Sequence, residues 1–201
     1  LGVLMLRDSK RKFLYLGVVA TLALVAVPFL PKSFTDRMST IKSYQQDESA
    51  ATRVAVWKWT WEYVKQHPLG GGFEMYRQNQ IRYDIVKSEG EAGNAKLDTT
   101  LTVDRARAYH SAYFEMLGEQ GWAGLALWIW LQLMGIWQME RIRWRFKRSE
   151  EGTASWQWGL ATALQQAQLT YLLGAAFVGI AYQPYIFMLI GLQCGLWSYV
   201  K

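Results

Sequence analysis

Three stretches of the chain contain no charged residue and are long enough to cross a membrane. Asp, Glu, Lys and Arg are absent from Phe13 to Pro31, from Gln120 to Met139 and from Gly152 to Val200. A bilayer core of about 30 Å needs roughly 20 apolar residues of helix, so the first two stretches each predict one span and the third predicts two. The third is expected to fold back at Pro184, because proline disfavours continuation of a helix.

These stretches divide the chain into segments and predict an all-α fold, a multi-pass membrane protein with about four transmembrane helices. Residues 1–6 are apolar and are expected to be the end of a preceding span, which makes the chain the C-terminal part of a longer protein. A signal peptide fits the first span less well. The expected spans are residues 13–31, 120–139, 156–181 and 184–200, with basic loops at 1–12 and 140–155 and a large loop at 32–119.

The distribution of positive charge predicts the orientation of these spans. The formal net charge is +6, and the excess of Lys and Arg falls in residues 1–31, in residues 140–151 and at Lys201. Residues 32–119 carry twelve basic and twelve acidic residues. Because short cytoplasmic loops are enriched in Lys and Arg, the basic runs are expected inside the cell and the neutral loop outside. A nucleic-acid partner is not expected, since the basic residues follow the span boundaries.

An amphipathic helix rich in tryptophan is predicted within the large loop. Asp47 or Ser49 can cap its start, and Pro68 with the following glycines is expected to end it. Trp favours the headgroup region, so the helix is expected along the outer membrane surface or packed on the rest of the protein. Four residues at helical spacing form its apolar stripe: Val54, Trp57, Trp61 and Val64.

The two histidines stand at the ends of predicted helices. His67 precedes the run "PLGGGF", which lacks the Lys-Ser/Thr of a phosphate-binding loop and predicts a helix stop with a flexible turn. The helix that becomes the second span is expected to begin near His110. At that depth a histidine can accept a proton from a hydroxyl, and the alternative is a helix cap or an interfacial hydrogen bond. Glu115 follows on the same helix and either orients substrate or ends the apolar run.

Five arginines of the large loop are candidates for binding phosphate or sugar. Arg53 lies one turn before Trp57, where bidentate donors can meet a lipid-borne phosphate. The other four lie in residues 74–109, which have no sustained period and predict a long loop. Each can instead be a solvated charge or a salt-bridge partner. They are Arg77, Arg82, Arg105 and Arg107.

Metal and transport chemistry find little support in the residue pattern. With two histidines and one cysteine there is no metal-ligand cluster of recognised spacing, so neither a metal nor another cofactor is expected. Cys194 is expected to be a small packing residue. Because the predicted spans contain no ionisable group of the kind that ion-coupled transporters use, the large loop is the expected place for chemistry.

Two segments of the loop carry a family resemblance. The stretch "ATRVAVWKWTWEYVKQHPLGGGF" and the later "YHSAYFEMLGEQGWAG", in this order between two predicted spans, resemble the paired motifs of the bacterial O-antigen ligase and polymerase superfamily. The sequences of these motifs are most similar to those of O-glycosylation ligases associated with exosortase systems. Many members have His-Asn where this chain has His110-Ser111. The resemblance implies a multi-spanning protein of the bacterial inner membrane with residues 32–119 on the periplasmic side.

The resemblance also implies a reaction: transfer of a glycan from a polyprenyl diphosphate carrier in the bilayer to a hydroxyl of a glycan, lipid or protein acceptor. By position, Arg53 matches the family arginine that holds the diphosphate, with Arg105 or Arg107 in support, and His110 matches the general base. The expected mechanism is a metal-independent in-line displacement with inversion. Two alternatives stay open, namely a polymerase that joins lipid-linked repeats and a non-catalytic membrane scaffold or part of a transporter.

Overall fold

The computed structural model describes residues 12–26, 48–89 and 96–201, and helices dominate these ranges. The predictions for residues 1–11, for the end of the first span at 27–31 and for the polar connection at 32–47 lie outside these ranges. Two short 3₁₀ helices cover Met75–Gln78 and Gly152–Ala154. The α-helices and the strands of a two-stranded sheet are α1 (Lys12–Ala26), α2 (Glu48–Gln66), β1 (Gln80–Glu89), β2 (Lys96–Arg105), α3 (Ala112–Lys147), α4 (Trp156–Ala175) and α5 (Pro184–Val200).

The chain forms two compact units. One comprises Leu1–Thr52 and Tyr83–Thr102, and the other comprises Arg53–Arg82 and Val103–Lys201. In the first unit α1 is apolar, and the Thr21 hydroxyl donates to the Gly17 carbonyl at 2.8 Å. The second unit contains both histidines, most of α2 and the three long helices of the C-terminal half.

Several helix boundaries follow the predictions from turn and cap residues. α2 begins at Glu48 and ends at Gln66, just before His67 and Pro68. α5 begins at Pro184, where the missing amide hydrogen and fixed φ of proline suit the first helical turn. No helix in the described ranges combines the length and the apolar character needed to cross a bilayer. The four spans stay predictions.

The prediction of an irregular loop over residues 74–109 is wrong in its central part, because β1 and β2 lie there. Both strands show alternation of apolar and other residues, as in Ile81, Tyr83 and Ile85 of β1 and Leu97 and Leu101 of β2. Alternation with a period of two is the sequence signal of a strand, and the scattered charges concealed it.

Within the predicted basic loop at residues 140–155, α3 continues to Lys147, and α4 begins at Trp156, the predicted first residue of the third span. Arg143 joins this part of α3 to α4. Its side chain is buried and donates from Nε to the Thr162 hydroxyl at 2.8 Å and from Nη1 to Gln165 Oε1 and Glu140 Oε2, both at 3.0 Å. At its other end α4 stops at Ala175, short of the predicted 181.

The three C-terminal helices pack around an apolar core that contains a polar seam. Met139 and Ile142 of α3, Ala161 of α4 and Ile186 of α5 are buried in that core. The seam joins Gln132, Gln168 and Gln193, one from each helix. Gln168 Nε2 donates to Gln132 Oε1 at 2.9 Å, and Gln193 Nε2 donates to Gln168 Oε1 at 2.8 Å. These two hydrogen bonds link the three helices, while Gln193 Oε1 is buried without a partner among the described residues.

Candidate active site

Trp57 connects α2 to the segment that carries His110. Its indole Nε1 donates to the carbonyl oxygen of Tyr109 at 2.7 Å, and its ring stacks on Phe114 with centroids 5.0 Å apart and an interplanar angle of 1°. Tyr109 precedes His110, and Phe114 lies in the first turn of α3. Arg53 lies one turn before Trp57 on α2, so the Trp57 contact joins the helix that bears Arg53 to the segment that bears His110.

His110 is presented outward by two buried neighbours. The side chains of Tyr109 and Ser111 are buried at 3% and 2% exposure, whereas His110 is exposed. Its backbone has φ of 50°, in the left-handed region that non-glycine residues seldom adopt. The helix therefore begins at Ala112 with Ser111 as its N-cap residue, and His110 stands just outside it. The expected start near His110 is confirmed to within two residues.

The ring of Tyr109 holds this segment against α3. It packs on Gly118, where an added Cβ would lie 2.8 Å from Tyr109 Cζ. The Tyr109 hydroxyl is buried and has no hydrogen-bond partner among the described residues. Burial, together with the charge of Glu119, raises the pKa of Tyr109 well above its usual range, so the phenol stays neutral.

Arg53 has an unmet hydrogen-bonding requirement. The residue is half-buried, and within the described ranges its Nε atom is buried without an acceptor. A buried guanidinium nitrogen of this kind is costly unless an oxygen from a ligand or water reaches it. The Arg53 Nε–H group is thus a buried donor without a partner among the described residues.

A backbone contact, which we call the glycine clasp, joins residues 68–72 to residues 118–122. The amides of Gly71 and Gly72 donate to the carbonyls of Gly118 and Glu119, both at 2.9 Å. In the opposite sense, the Trp122 amide donates to the Pro68 carbonyl at 3.0 Å. The glycines after Pro68 therefore do more than end α2 in a flexible turn, because they bind α3 directly.

The clasp depends on a break in α3 at Gly121. This residue has φ of 65° and ψ of −164°, a region open essentially to glycine alone. A Cβ on Gly121 would also lie 2.5 Å from the carbonyl carbon of Leu69. On the other side, a Cβ on Gly70 would lie 2.5 Å from the carbonyl oxygen of Glu119. Sequence reasoning missed this contact, although the paired glycine motifs were its signal.

Two carboxylates near the start of α3 bind backbone amides of neighbouring loops. Glu115 Oε2 accepts from the amide of Ala181 at 3.0 Å, and Glu119 Oε1 accepts from the amide of Glu74 at 2.9 Å. Burial raises the pKa of both carboxyls, and these two hydrogen bonds oppose the shift. Glu115, a candidate for binding substrate, thus has a structural contact with the turn before α5.

Asn79 fixes the path of the chain toward His110. Its side-chain Nδ2 donates to the Arg107 carbonyl at 2.7 Å, its Oδ1 accepts from the Arg107 amide at 3.0 Å, and its own carbonyl accepts from the Ala106 amide at 3.1 Å. These bonds close the base of the β1–β2 pair. They hold the Arg107 backbone three residues before His110, while the Arg107 guanidinium pairs with Asp104.

The remaining candidates are exposed. Arg77 pairs with Glu74 at 2.8 Å, and Arg82 and Arg105 lie on the strands. His67 follows the last residue of α2, and its ring stacks on Tyr63 at 4.2 Å between centroids. Within the described ranges, His, Cys, Asp and Glu side chains do not gather in threes as a metal site requires.

A sequence model of the O-antigen ligase family matches residues 1–129. The chain belongs to the O-antigen ligase family. The match covers α2, both sides of the glycine clasp, Arg53 and His110, and it ends within α3. Membership in the O-antigen ligase family indicates a ligase of the bacterial inner membrane that transfers glycans, with lipid-linked glycans as its substrates. Neither the curated proteins nor the solved structures contain a significant match.

Proposed function

We propose that this chain carries the catalytic part of a ligase that transfers a glycan from a polyprenyl diphosphate carrier to an acceptor hydroxyl. The observation that carries the proposal is the hydrogen bond from Trp57 to the Tyr109 carbonyl, at 2.7 Å. This bond supports the proposal because Trp57 lies one turn after Arg53 on α2 and Tyr109 directly precedes His110. A cation and a proton acceptor beside each other are what displacement of a diphosphate by a hydroxyl requires.

In the proposed reaction His110 and Arg53 each have one role. A ring nitrogen of His110 accepts the proton of the acceptor hydroxyl as its oxygen forms the bond to the anomeric carbon. The bond from that carbon to the diphosphate oxygen breaks on the opposite face, which inverts the configuration. Arg53 stabilises the negative charge that develops on the leaving diphosphate, so the proposed mechanism needs no metal ion.

The other candidates have supporting roles in this proposal. Arg105 and Arg107 lie at the base of the strand pair, on the chain that leads to His110, and we assign them to the diphosphate or the first sugar. Arg77, Arg82 and His67 are exposed and are assigned to the glycan. We assign Glu115 to positioning of α3, since its carboxylate accepts from the Ala181 amide.

The reaction is proposed on the periplasmic side of the inner membrane. Support comes from the neutral charge of residues 32–119 and from the basic runs on either side of that segment. The charge-free stretches 13–31, 120–139 and 152–200 are the proposed membrane segments. An exosortase-associated pathway, with a glycan, lipid or protein acceptor, is the proposed setting.

Complementation of a deletion strain tests the proposal. The full-length protein is expressed with His110→Asn, which tolerates the left-handed backbone but is not a proton acceptor, or with Arg53→Ala. Lys58→Ala is the matched control, because Lys58 is an exposed cation on the same helix as Arg53. Glycan attachment is measured by gel mobility, with the membrane level of each variant checked by immunoblot.

We expect at least about a hundredfold loss of attachment for His110→Asn, as removal of a general base implies. Arg53→Ala is expected to show a similar loss and Lys58→Ala none. Normal attachment by the His110 and Arg53 variants would contradict the proposal. Accumulation of single lipid-linked repeats in the deletion strain, in place of long unattached chains, would instead indicate a polymerase.

A further inference from the structure

A cavity opens between the C-terminal ends of α3 and α5. Its volume is about 480 Å³. The cavity lies at the far end of α3 from His110, separated by about 30 residues of helix or roughly 40 Å. It is therefore distinct from the proposed active site. The residues that line it are Arg141, Ile142, Trp144, Arg145, Arg148, Trp197, Val200 and Lys201.

Two kinds of side chain form this lining. Four are cations, and acidic side chains are absent among the described residues that line it. The others are apolar or aromatic, with Trp144 exposed at 59%. A lining that combines positive charge with apolar surface matches a ligand that has an anionic group next to an apolar part.

Contacts between the two helix ends hold the cavity in shape. Arg145 Nη1 donates to the Val200 carbonyl at 2.6 Å, which satisfies an acceptor at the end of α5. The rings of Trp137 and Trp197 lie 5.6 Å apart and join α3 to α5. Because Arg145 has this structural bond, the cations left for a ligand are the other three.

Two of those cations lie over indole rings. The guanidinium carbon of Arg148 is 4.5 Å from the centroid of Trp144, and that of Arg141 is 5.5 Å from the centroid of Trp137. Stacking on a ring restricts the guanidinium orientation and leaves its N–H edges available for bidentate bonds to phosphate. Glu140, which precedes Arg141 in the sequence, is bonded to the buried Arg143.

We propose that this cavity binds the phosphate group of an anionic phospholipid. Arg141, Arg148 and Lys201 take the phosphate oxygens, and Trp144 and Trp197 contact the glycerol and the first methylene groups. Basic pockets between helices on the cytoplasmic side of membrane proteins bind lipid headgroups in this way. The chemistry at the cavity is phosphate recognition, and the apolar lining favours a lipid over a free anion.

The test measures lipid binding to the full-length protein in neutral detergent by native mass spectrometry. The probes are phosphatidylglycerol, phosphatidylcholine and inorganic phosphate, each titrated separately. The variant is Arg141→Gln with Arg148→Gln, which leaves the Arg145 bond in place. Lys58→Gln serves as the matched control, because it removes an exposed cation remote from the cavity in sequence.

We expect the wild-type protein to prefer phosphatidylglycerol to phosphatidylcholine, and the double variant to bind phosphatidylglycerol about tenfold to thirtyfold more weakly. Lys58→Gln should bind as the wild type does. Equal affinity of the wild type and the double variant would overturn the proposal. So would equal binding of the two lipids by the wild type, a comparison that needs no variant to fold, or inorganic phosphate binding as tightly as phosphatidylglycerol.

Discussion

The backbone of Gly121 packs directly on the backbone of Pro68: the next amide, that of Trp122, donates to the Pro68 carbonyl at 3.0 Å. No side chain fits between these two backbone segments, since a Cβ on Gly121 would also overlap Leu69. The two motifs that carry the family resemblance are thus halves of one contact.

Gly121→Ala is expected to lower the free energy of unfolding by roughly 3 kcal/mol or more, because a backbone outlier and a steric overlap add together. Gly72→Ala is the control. Its φ of 83° is also positive, but an added Cβ would have no atom within 4 Å, so only the backbone strain of about 1–2 kcal/mol remains. Thermal unfolding in detergent measures the loss of stability in each of the two variants. Similar losses in the two variants would show that the clasp has no steric requirement at Gly121.

The buried carboxyls of Glu115 and Glu119 predict a pH dependence of stability. Burial raises both pKa values above the ordinary 4.5, so ionisation opposes folding. The free energy of unfolding should therefore fall as the pH rises from 4.5 through the raised pKa values. Glu119→Gln keeps an oxygen for the Glu74 amide and should reduce the fall.

Melting temperatures of the full-length protein across this pH range provide the measurement. Glu150→Gln, at an exposed turn after α3, is the matched control and should keep the pH dependence of the wild type. A Glu119→Gln variant that keeps the full wild-type slope would show that ionisation of Glu119 does not limit stability.

Tyr109→Phe should leave the protein folded and active. The hydroxyl has no partner among the described residues, so its removal loses no hydrogen bond and relieves a buried polar group. We expect an unchanged free energy of unfolding or a gain of about 1–2 kcal/mol. Tyr109→Ala, in contrast, removes the ring that packs on Gly118 and should cost about 3–5 kcal/mol. Chemical denaturation compares them; a large loss with Tyr109→Phe would reveal a partner for the hydroxyl.

Trp57→Phe should impair catalysis more than folding. The substitution can keep the stack on Phe114 but loses the bond to the Tyr109 carbonyl, which costs about 1 kcal/mol of stability. Loss of the alignment between α2 and the His110 segment is expected to lower kcat by about tenfold to a hundredfold. Purified protein with a lipid-linked donor gives kcat and KM.

Trp61→Phe, one turn further along α2, controls for the loss of an indole. Trp61 contacts the ring of Trp122 edge-on and is 45% exposed, and its replacement should leave kcat within about twofold. An equal fall of kcat in both variants would show that the hydrogen bond of Trp57 has no specific role in catalysis.

Local signals in the sequence predicted the ends of α2 and the start of α5, because capping and proline rules act within a few residues. The extension of α3 to Lys147 was not predictable in the same way. In that part of α3, Arg143 bonds to Thr162 and Gln165, nineteen and twenty-two residues away. A run of arginines suggests a solvated loop until the acceptors on another helix are known.

In the candidate site, too, local features were predictable from the sequence and long-range contacts were not. His110 and Arg53 were identified from motif resemblance and residue chemistry. The contacts that support them, from Trp57 to the Tyr109 carbonyl and across the glycine clasp, involve backbone atoms. Any residue can supply a backbone carbonyl, so the sequence does not show which residue accepts the hydrogen bond. Only the glycines, which permit the approach, record it in the sequence.

The three hydrogen bonds of Asn79 have a consequence for how relatives of this protein can diversify. With residues 79, 106 and 107 tied together, the chain between them starts and finishes at one fixed point. Doubling the length of such an insert adds only about 0.6 kcal/mol of closure entropy. Changes in the length of the chain between residues 80 and 105 are therefore expected to leave the hydrogen bonds of Asn79 in place.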